Sequence, residues 1–254
     1  MSKLSVVIIT YNEEKNISRC LNSVKDIADE VIVLDSFSED GTEEICKKYG
    51  VRFIKRKWEG YSKSKNYANQ LAQYDYILSI DADEALSDEL KTNILTHKNM
   101  GLRGVYEFNR LTNYCGKWIH HCGWYPDRKV RLFPKEKAQW KGDYVHEELT
   151  FENNGKKIFI KGDLLHYSYY TTSEHKARIE KYSVLAARKL LVKGGEVFFM
   201  QRFFSPLLKF LKMYFFQLGF LDGYYGFVIS VISARARFLK YRKLEELRKE
   251  NKIN

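Results

Sequence analysis

No G-x-G-x-x-G follows the first apolar run of this 254-residue chain, and no G-x-x-x-x-G-K-[ST] occurs anywhere in it. The glycine turns that cradle a dinucleotide pyrophosphate or P-loop phosphates are therefore missing. Cysteine is scarce: Cys20, Cys46, Cys115 and Cys122. Cys20 and Cys46 fall on apolar sides of predicted helices and read as core thiols. CGKWIHHC (115–122) mixes Cys and His as zinc ligands do. Its spacing fits no common finger and no second ligand pair follows, so reduced thiols are expected. No signal-peptide pattern precedes LSVVIIT, which sets a cytoplasmic expectation. Acids are the minority, 32 Asp and Glu against 43 Lys and Arg, for a formal charge of +11. Such a surplus suits a polyanionic partner: a phosphate-rich ligand, nucleic acid or an anionic membrane. At 44% hydrophobic and 30% charged residues the chain reads as folded.

The first hundred residues carry a rhythm. LSVVIIT (4–10) is a continuous apolar run, the pattern of a strand buried on both faces. Residues 14–25 have helical spacing, with Ile17, Leu21 and Val24 on one side. VIVL (31–34) is a second strand that ends at Asp35. Residues 42–49 read as helix, 51–55 as strand, 61–73 as helix and 75–80 as a fourth strand. Strand and helix alternating at intervals of about 25 residues predict βαβ units and a parallel sheet.

Ligands of open α/β sheets sit at the carboxyl ends of the strands. Here those ends carry Thr10-Tyr11-Asn12-Glu13, then Asp35, then Asp81-Ala82-Asp83-Glu84. The last group crowds three carboxylates into four residues, and like charges that close need something positive among them. With no glycine loop to hold phosphate, a divalent cation bridging carboxylates and phosphate oxygens is the economical choice, Mg²⁺ or Mn²⁺.

VVIITYNEE (6–14), VLDSFSEDGT (33–42), SKSKNYA (62–68) and the D-x-D of SIDADE (79–84) together resemble the family 2 glycosyltransferases. The resemblance implies an α/β fold of the GT-A (Rossmann-like) class, a mostly parallel sheet flanked by helices, with a helical C-terminal extension. CGKWIHHCGWYPDRKVRLF (115–133), VHEEL (145–149) and HYS (166–168) are similar to the branch that includes lipopolysaccharide core β-1,4-glucosyltransferases. The division it implies is a catalytic domain over 1–171, with a nucleotide-binding half (1–100) and an acceptor half (101–171), followed by a helical extension over 172–254.

Residue by residue, the resemblance sets Thr10, Tyr11, Asn12 and Glu13 against the uracil and Asp35 against the uridine. It places Lys65 and Asn66 beside the nucleotide, Asp81 near the ribose and Asp83 on the metal. A carboxylate accepts from a ribose hydroxyl or uracil N–H, and a lysine sets charge near a pyrophosphate. The implied reaction inverts the anomeric centre in one displacement. It needs a base for the acceptor hydroxyl: Glu147 first, then Asp127, with Glu148 open beside Glu147, or else a glutamate in a surface ion pair. His166 is either a further metal ligand or a hydrogen-bonded structural residue. Trp118, Trp124 and Tyr125 either stack on the acceptor's sugar faces or fill a core. Arg131, with Arg128 and Lys129, meets the diphosphate or an anionic acceptor, or lines a solvated strand face.

Residues 172–192 have helical spacing. Beyond them, 198–239 is aromatic and apolar, and its longest apolar part, 215–232, holds Gln217 and Asp222. An Asp is costly on a lipid-facing span, so the stretch reads as an interfacial element, with the basic run 233–254 favouring anionic lipid. The expected partners are a UDP-sugar donor, a glycan or glycolipid acceptor and an anionic membrane surface, and the expected place is the inner face of the cytoplasmic membrane. Nucleic acid is disfavoured, because the acidic strand edge repels it. The rival readings are a non-catalytic nucleotide-sugar-binding module and a metal-dependent nucleotidyltransferase or phosphatase. Ala85 stands where a phosphatase of the D-x-D type carries Thr or Val, and TYNEE replaces the glycine-rich basic loop of a nucleotidyltransferase.

Overall fold

The computed structural model describes residues 1–142, 148–151, 157–192 and 199–253. By its internal contacts the chain divides into two compact units. The first is Met1–Leu111 with Asp127–Tyr167, and the second is Thr112–Pro126 with Ser168–Asn254.

The first unit opens with the predicted alternation: β1 (Leu4–Thr10), α1 (Ile17–Val24), β2 (Glu30–Asp35), α2 (Thr42–Lys48), β3 (Arg52–Lys55), α3 (Tyr61–Gln70) and β4 (Tyr76–Asp81). These strands lie in the order β3-β2-β1-β4, all parallel. The rest of the sheet is built differently. β8 (Asp127–Pro134) runs antiparallel to β4, and β6 (Val105–Tyr114) antiparallel to β8. Next in order come β11 (Lys157–Tyr169) and the three-residue β5 (Glu84–Leu86), antiparallel to each other. The expected α/β class is the class found, with a parallel half and an antiparallel half in one mixed sheet.

The continuous apolar run of β1 is explained by what covers it. Leu4, Val6 and Ile8 face one core with Ile17, Cys20, Leu21 and Val24 of α1, and with Leu90 and Ile94 of α4 (Asp88–Met100). Val7 faces the other core with Ala68 of α3, Phe133 of β8 and Trp140 of β9 (Ala138–Lys141). Alternate residues thus meet helices on opposite faces, which removes the apolar–polar alternation of a one-sided strand. β9 pairs with β10 (Glu148–Phe151) in a separate two-stranded sheet.

In the second unit the last residues of β6 pair with β7 (Lys117–Ile119). Three helices follow: α5 (Thr172–Val192), α6 (Phe199–Leu211) and α7 (Gly223–Ile253). Between α6 and α7 lie a π-helical turn, Lys212–Phe216, and a 3-10 turn, Gly219–Asp222. The helical path bends there by 71°. Gly226 makes the bend tight, since a β-carbon on it would lie 1.8 Å from the Gly219 carbonyl oxygen. Among the described residues no single helix is long and apolar enough to cross a membrane.

Gln217 and Asp222, in the apolar stretch 215–232, turn toward residues 117–123. Asp222 is 3% exposed. Its carboxylate accepts from the His120 and His121 amides at 3.3 and 2.8 Å and lies 3.0 Å from His121 Nδ1. Lys117 Nζ donates to its carbonyl. Gln217 accepts from the Cys122 amide, and its side chain lies against Gly123. Asp222, which would be costly on a lipid-facing span, has its charge turned inward and hydrogen-bonded.

A buried histidine gives this unit a pH dependence. His175, 4% exposed, faces the Tyr114 hydroxyl through Nδ1 at 3.0 Å and packs against Tyr169 and Trp124. Burial, with Arg178 nearby, pushes its pKa down to about 4. Between about 6.5 and that value the unfolded chain takes the proton first, so stability is full above pH 6.5 and falls as the pH drops. The urea-unfolding free energy of the wild type minus that of His175→Gln should shrink by on the order of 2–3 kcal/mol from pH 7 to 4.5. A difference that stays constant over that range would remove His175 as the cause.

Candidate functional site

The loops after β1 and β2 are stitched to each other. The Asn12 amide donates to Ser38 Oγ at 2.8 Å, and the Glu39 amide donates back to Asn12 Oδ1 at 2.9 Å. The Glu13 amide donates to Thr42 Oγ1, the Glu14 amide to Asp40, and the Gly41 amide to Glu14. Asn12 takes a left-handed φ of 53° to make this turn, a conformation Asn tolerates better than most residues. Thr10 and Asp35 stand opposite each other at the ends of β1 and β2. Asp35 is fully buried and accepts from both the amide and the hydroxyl of Ser38. Tyr11 is 56% exposed beside it. Ser38 and Asp40, which hold the two loops, lie within VLDSFSEDGT (33–42), of which the sequence singles out Asp35 alone.

The crowded carboxylates after β4 meet cations that the chain itself provides. Lys65 Nζ, on a residue 1% exposed, lies 3.0 Å from Asp81 Oδ1. Arg131 of β8 lies 3.0 Å from Asp81 Oδ2 and 2.8 Å from Glu84 Oε1. Arg110 of β6 reaches Glu84 at 3.5 Å and Asp127 at 2.8 Å, and Lys129 holds the other Asp127 oxygen at 2.9 Å. Burial pushes the Asp81 pKa up, and Lys65 and Arg131 more than reverse this, so its carboxyl is held well below the usual range. Glu84 also accepts from the Asp81 amide. Sequence reading counted Glu84 only as one more charge and passed over Arg110, because their pairing depends on strand register.

Asp83 is left with a different partner. The antiparallel register of β5 and β11 sets Glu84 opposite His166, which brings His166 Nε2 within 3.2 Å of Asp83 Oδ2. Their side chains are 15% and 22% exposed. His166 Nδ1 is buried with no hydrogen-bond partner among the described residues. Also among the described residues, no group of three or more His, Cys, Asp or Glu gathers as a closed metal site. A carboxylate oxygen and an imidazole nitrogen this close would hold a divalent cation such as Mn²⁺ or Mg²⁺ if one bound here, as a hard cation takes oxygen and imidazole donors.

The remaining candidates separate. Asn66 gives its amide to the Trp140 carbonyl and accepts from the Trp140 amide, at 2.8 and 2.9 Å, so it fixes α3 to β9. Glu148 is exposed at the start of β10, opposite Lys141. Glu147 lies outside the described residues. Trp118, Trp124 and Tyr125 belong to the second unit. There Trp124 packs edge-on against Tyr114 and His175, and Tyr125 against His120.

Comparison with known proteins gives this arrangement a context. The family model for glycosyl transferase family 2 matches residues 5–148. An uncharacterized glycosyltransferase of Rickettsia typhi is 36% identical over 97% of this chain and 88% of its own length. A lipopolysaccharide core biosynthesis glycosyltransferase, LpsC, of Rhizobium meliloti is 29% identical over 95% of this chain and 91% of its own. Among solved structures, glucosyl-3-phosphoglycerate synthase from Mycobacterium tuberculosis, in complex with Mn²⁺, UDP and glucosyl-3-phosphoglycerate, is 19% identical. It covers 53% of this chain and 57% of its own, with a TM-score of 0.41, a partial likeness on which nothing further rests. The matched model spans more than half of the chain and takes in the stitched loops and the charged cluster: the chain belongs to glycosyl transferase family 2.

Proposed function

We propose that the protein transfers a sugar from a UDP-sugar to a hydroxyl of a glycan or glycolipid, in the synthesis of lipopolysaccharide core or another cell-envelope polysaccharide. In this reading it works peripherally, on the inner face of the cytoplasmic membrane. The observation that carries the proposal is the convergence of Asp35, Asp81 and the Asp83–His166 pair at the strand ends of a family 2 chain. Likeness to a lipopolysaccharide core enzyme supports the acceptor class.

Each role follows from the chemistry of the group. Asp35, oriented by Ser38, accepts from the uridine. Asp81, kept ionised by Lys65 and Arg131, accepts from a ribose hydroxyl. Asp83 and His166 would hold Mn²⁺ or Mg²⁺, which when bound acts as a Lewis acid on the leaving diphosphate. Glu147 takes the proton of the acceptor hydroxyl, with Asp127 and Glu148 as the other carboxylates in reach of that role by sequence. Of these Asp127 is held by two cations, Arg110 and Lys129. Fixing both reactants in line lowers the entropic barrier.

A panel of UDP-, GDP-, CDP- and dTDP-sugars, read by released nucleoside diphosphate with Mn²⁺, with Mg²⁺ and with a chelator, tests this. UDP-sugars should be consumed, and the chelator should suppress the release by more than about tenfold. Turnover of another nucleotide's sugars alone would overturn the donor, and full activity in chelator would overturn the cation.

A further inference from the structure

Twelve of the 23 exposed large apolar side chains among the described residues fall between 203 and 231. They are not scattered. Phe204 and Leu208 form a stripe on α6 that continues through Phe215, all at least half exposed. Phe220, Tyr224, Phe227 and Val231 form a second stripe from the 3-10 turn along the start of α7. At the bend between them Phe216 is 83% exposed. A helix in water turns its apolar stripe inward, and an exposed patch of this extent marks a contact surface.

The charges beside the patch indicate what it contacts. Residues 199–221 hold Arg202, Lys209 and Lys212 and no carboxylate. Arg202 is paired with Glu245, but among the described residues no carboxylate pairs with Lys209 or Lys212. Burial, with Arg237 and Lys212 close by, holds the Lys209 ammonium below its ordinary range. A phosphate-bearing surface relieves that crowding. A second copy of the chain, related by a two-fold axis, would set like charges against each other instead. The basic run of α7 is a weaker candidate than its sequence implies, because Arg235 lies near Glu180 and both Arg242 and Lys243 contact Glu246.

We propose that α6 and its bend into α7 enter the headgroup–acyl boundary of an anionic bilayer, with Phe215 and Phe216 leading and Lys209 and Lys212 at phosphate level. This deepens the peripheral placement proposed above and rests on it. Rings and aliphatic side chains in the boundary, with cations beside anionic headgroups, are the two attractions that hold interfacial helices.

The test uses the full-length protein and sedimentation with vesicles of phosphatidylcholine alone or mixed equally with phosphatidylglycerol. The parent should sediment with the mixed vesicles and much less with phosphatidylcholine. Phe204→Gln/Leu208→Gln/Phe215→Gln/Phe216→Gln should lose binding by about tenfold or more, and Phe216→Gln alone, too exposed to disturb packing, by severalfold. Reversal of Arg235 and Arg242 to Glu should weaken binding less than the quadruple change. Parent-like binding by both apolar variants, with loss on charge reversal, would overturn this surface while leaving the membrane placement intact. No binding by the parent to either vesicle would overturn both. A parent dimer in sedimentation velocity that the quadruple variant dissociates, without vesicle binding, would make the patch a self-association face. Hydrolysis of the UDP-sugar, measured on the same variants, should be unchanged, so a failure of the transferase reading shows separately.

Discussion

Replacing Asp83 with Asn should cost turnover about 10³-fold while leaving the unfolding midpoint in place. The rate expectation follows from several kcal/mol of charge stabilisation at the leaving group, at 1.36 kcal/mol per tenfold. The stability expectation follows from the local structure. The Asp83 carbonyl accepts from the Tyr167 amide at 2.9 Å whatever the side chain is, and an Asn oxygen can still accept from His166. Calorimetric titration of UDP with and without Mn²⁺ supplies a second readout. In the parent, Mn²⁺ should tighten UDP; in Asp83→Asn, that gain should vanish. Undiminished turnover, or a Mn²⁺ effect of unchanged size, would take Asp83 out of the proposed role.

Arg131→Met should be the most destabilising single change in the charged cluster, by about 3–5 kcal/mol. The Glu84 side chain is fully buried, and once Arg131 is gone its remaining cation among the described residues is Arg110 at 3.5 Å, beside the Asp81 amide. A carboxylate left nearly unpaired in that position is far more costly than the ion pair itself is stabilising. Adding Glu84→Leu to Arg131→Met should therefore restore part of the loss, a coupling that urea denaturation of the two single variants and the double variant measures directly. Arg131→Lys should fall between, since the shorter lysine sets its ammonium back from the point where one guanidinium nitrogen meets both Asp81 and Glu84. A single-variant cost under about 1 kcal/mol would mean that water reaches the cluster and screens it.

The parallel half of the sheet is legible in the sequence because β1, β2 and β4 are largely buried and spell themselves out as apolar runs. β1 and α5 begin and end where the residue pattern puts them. The antiparallel half was not readable, since its order depends on partners far apart in the chain. His166 lies opposite Glu84 across a register that no local pattern encodes, and β5, which makes that pairing, is three residues long. The same distance hid the answer to the crowded carboxylates. A divalent cation is the economical expectation for all three, yet Asp81 and Glu84 are matched by Lys65, Arg131 and Arg110, which leaves Asp83 with His166 as the pair proposed to hold the cation. Asn66 shows a further limit: its neighbour Lys65 faces Asp81, while its own amide is bound on both sides to the backbone of Trp140. Asp222 read as a penalty because composition does not say which way a side chain points.

The contact of Gly226 with the Gly219 carbonyl leaves no room for any side chain, and the amides of His120 and His121 tie down Asp222 a few residues away. The turn from α6 into α7 is thus shaped before it touches anything. A segment that had to order itself on arrival would lose conformational freedom at that moment, and its affinity would be lower by that amount. In the proposed membrane contact a preorganised tip avoids this, so capture would be limited by how often the molecule arrives facing the right way, and the long-range attraction of its positive charge would act on that orientation.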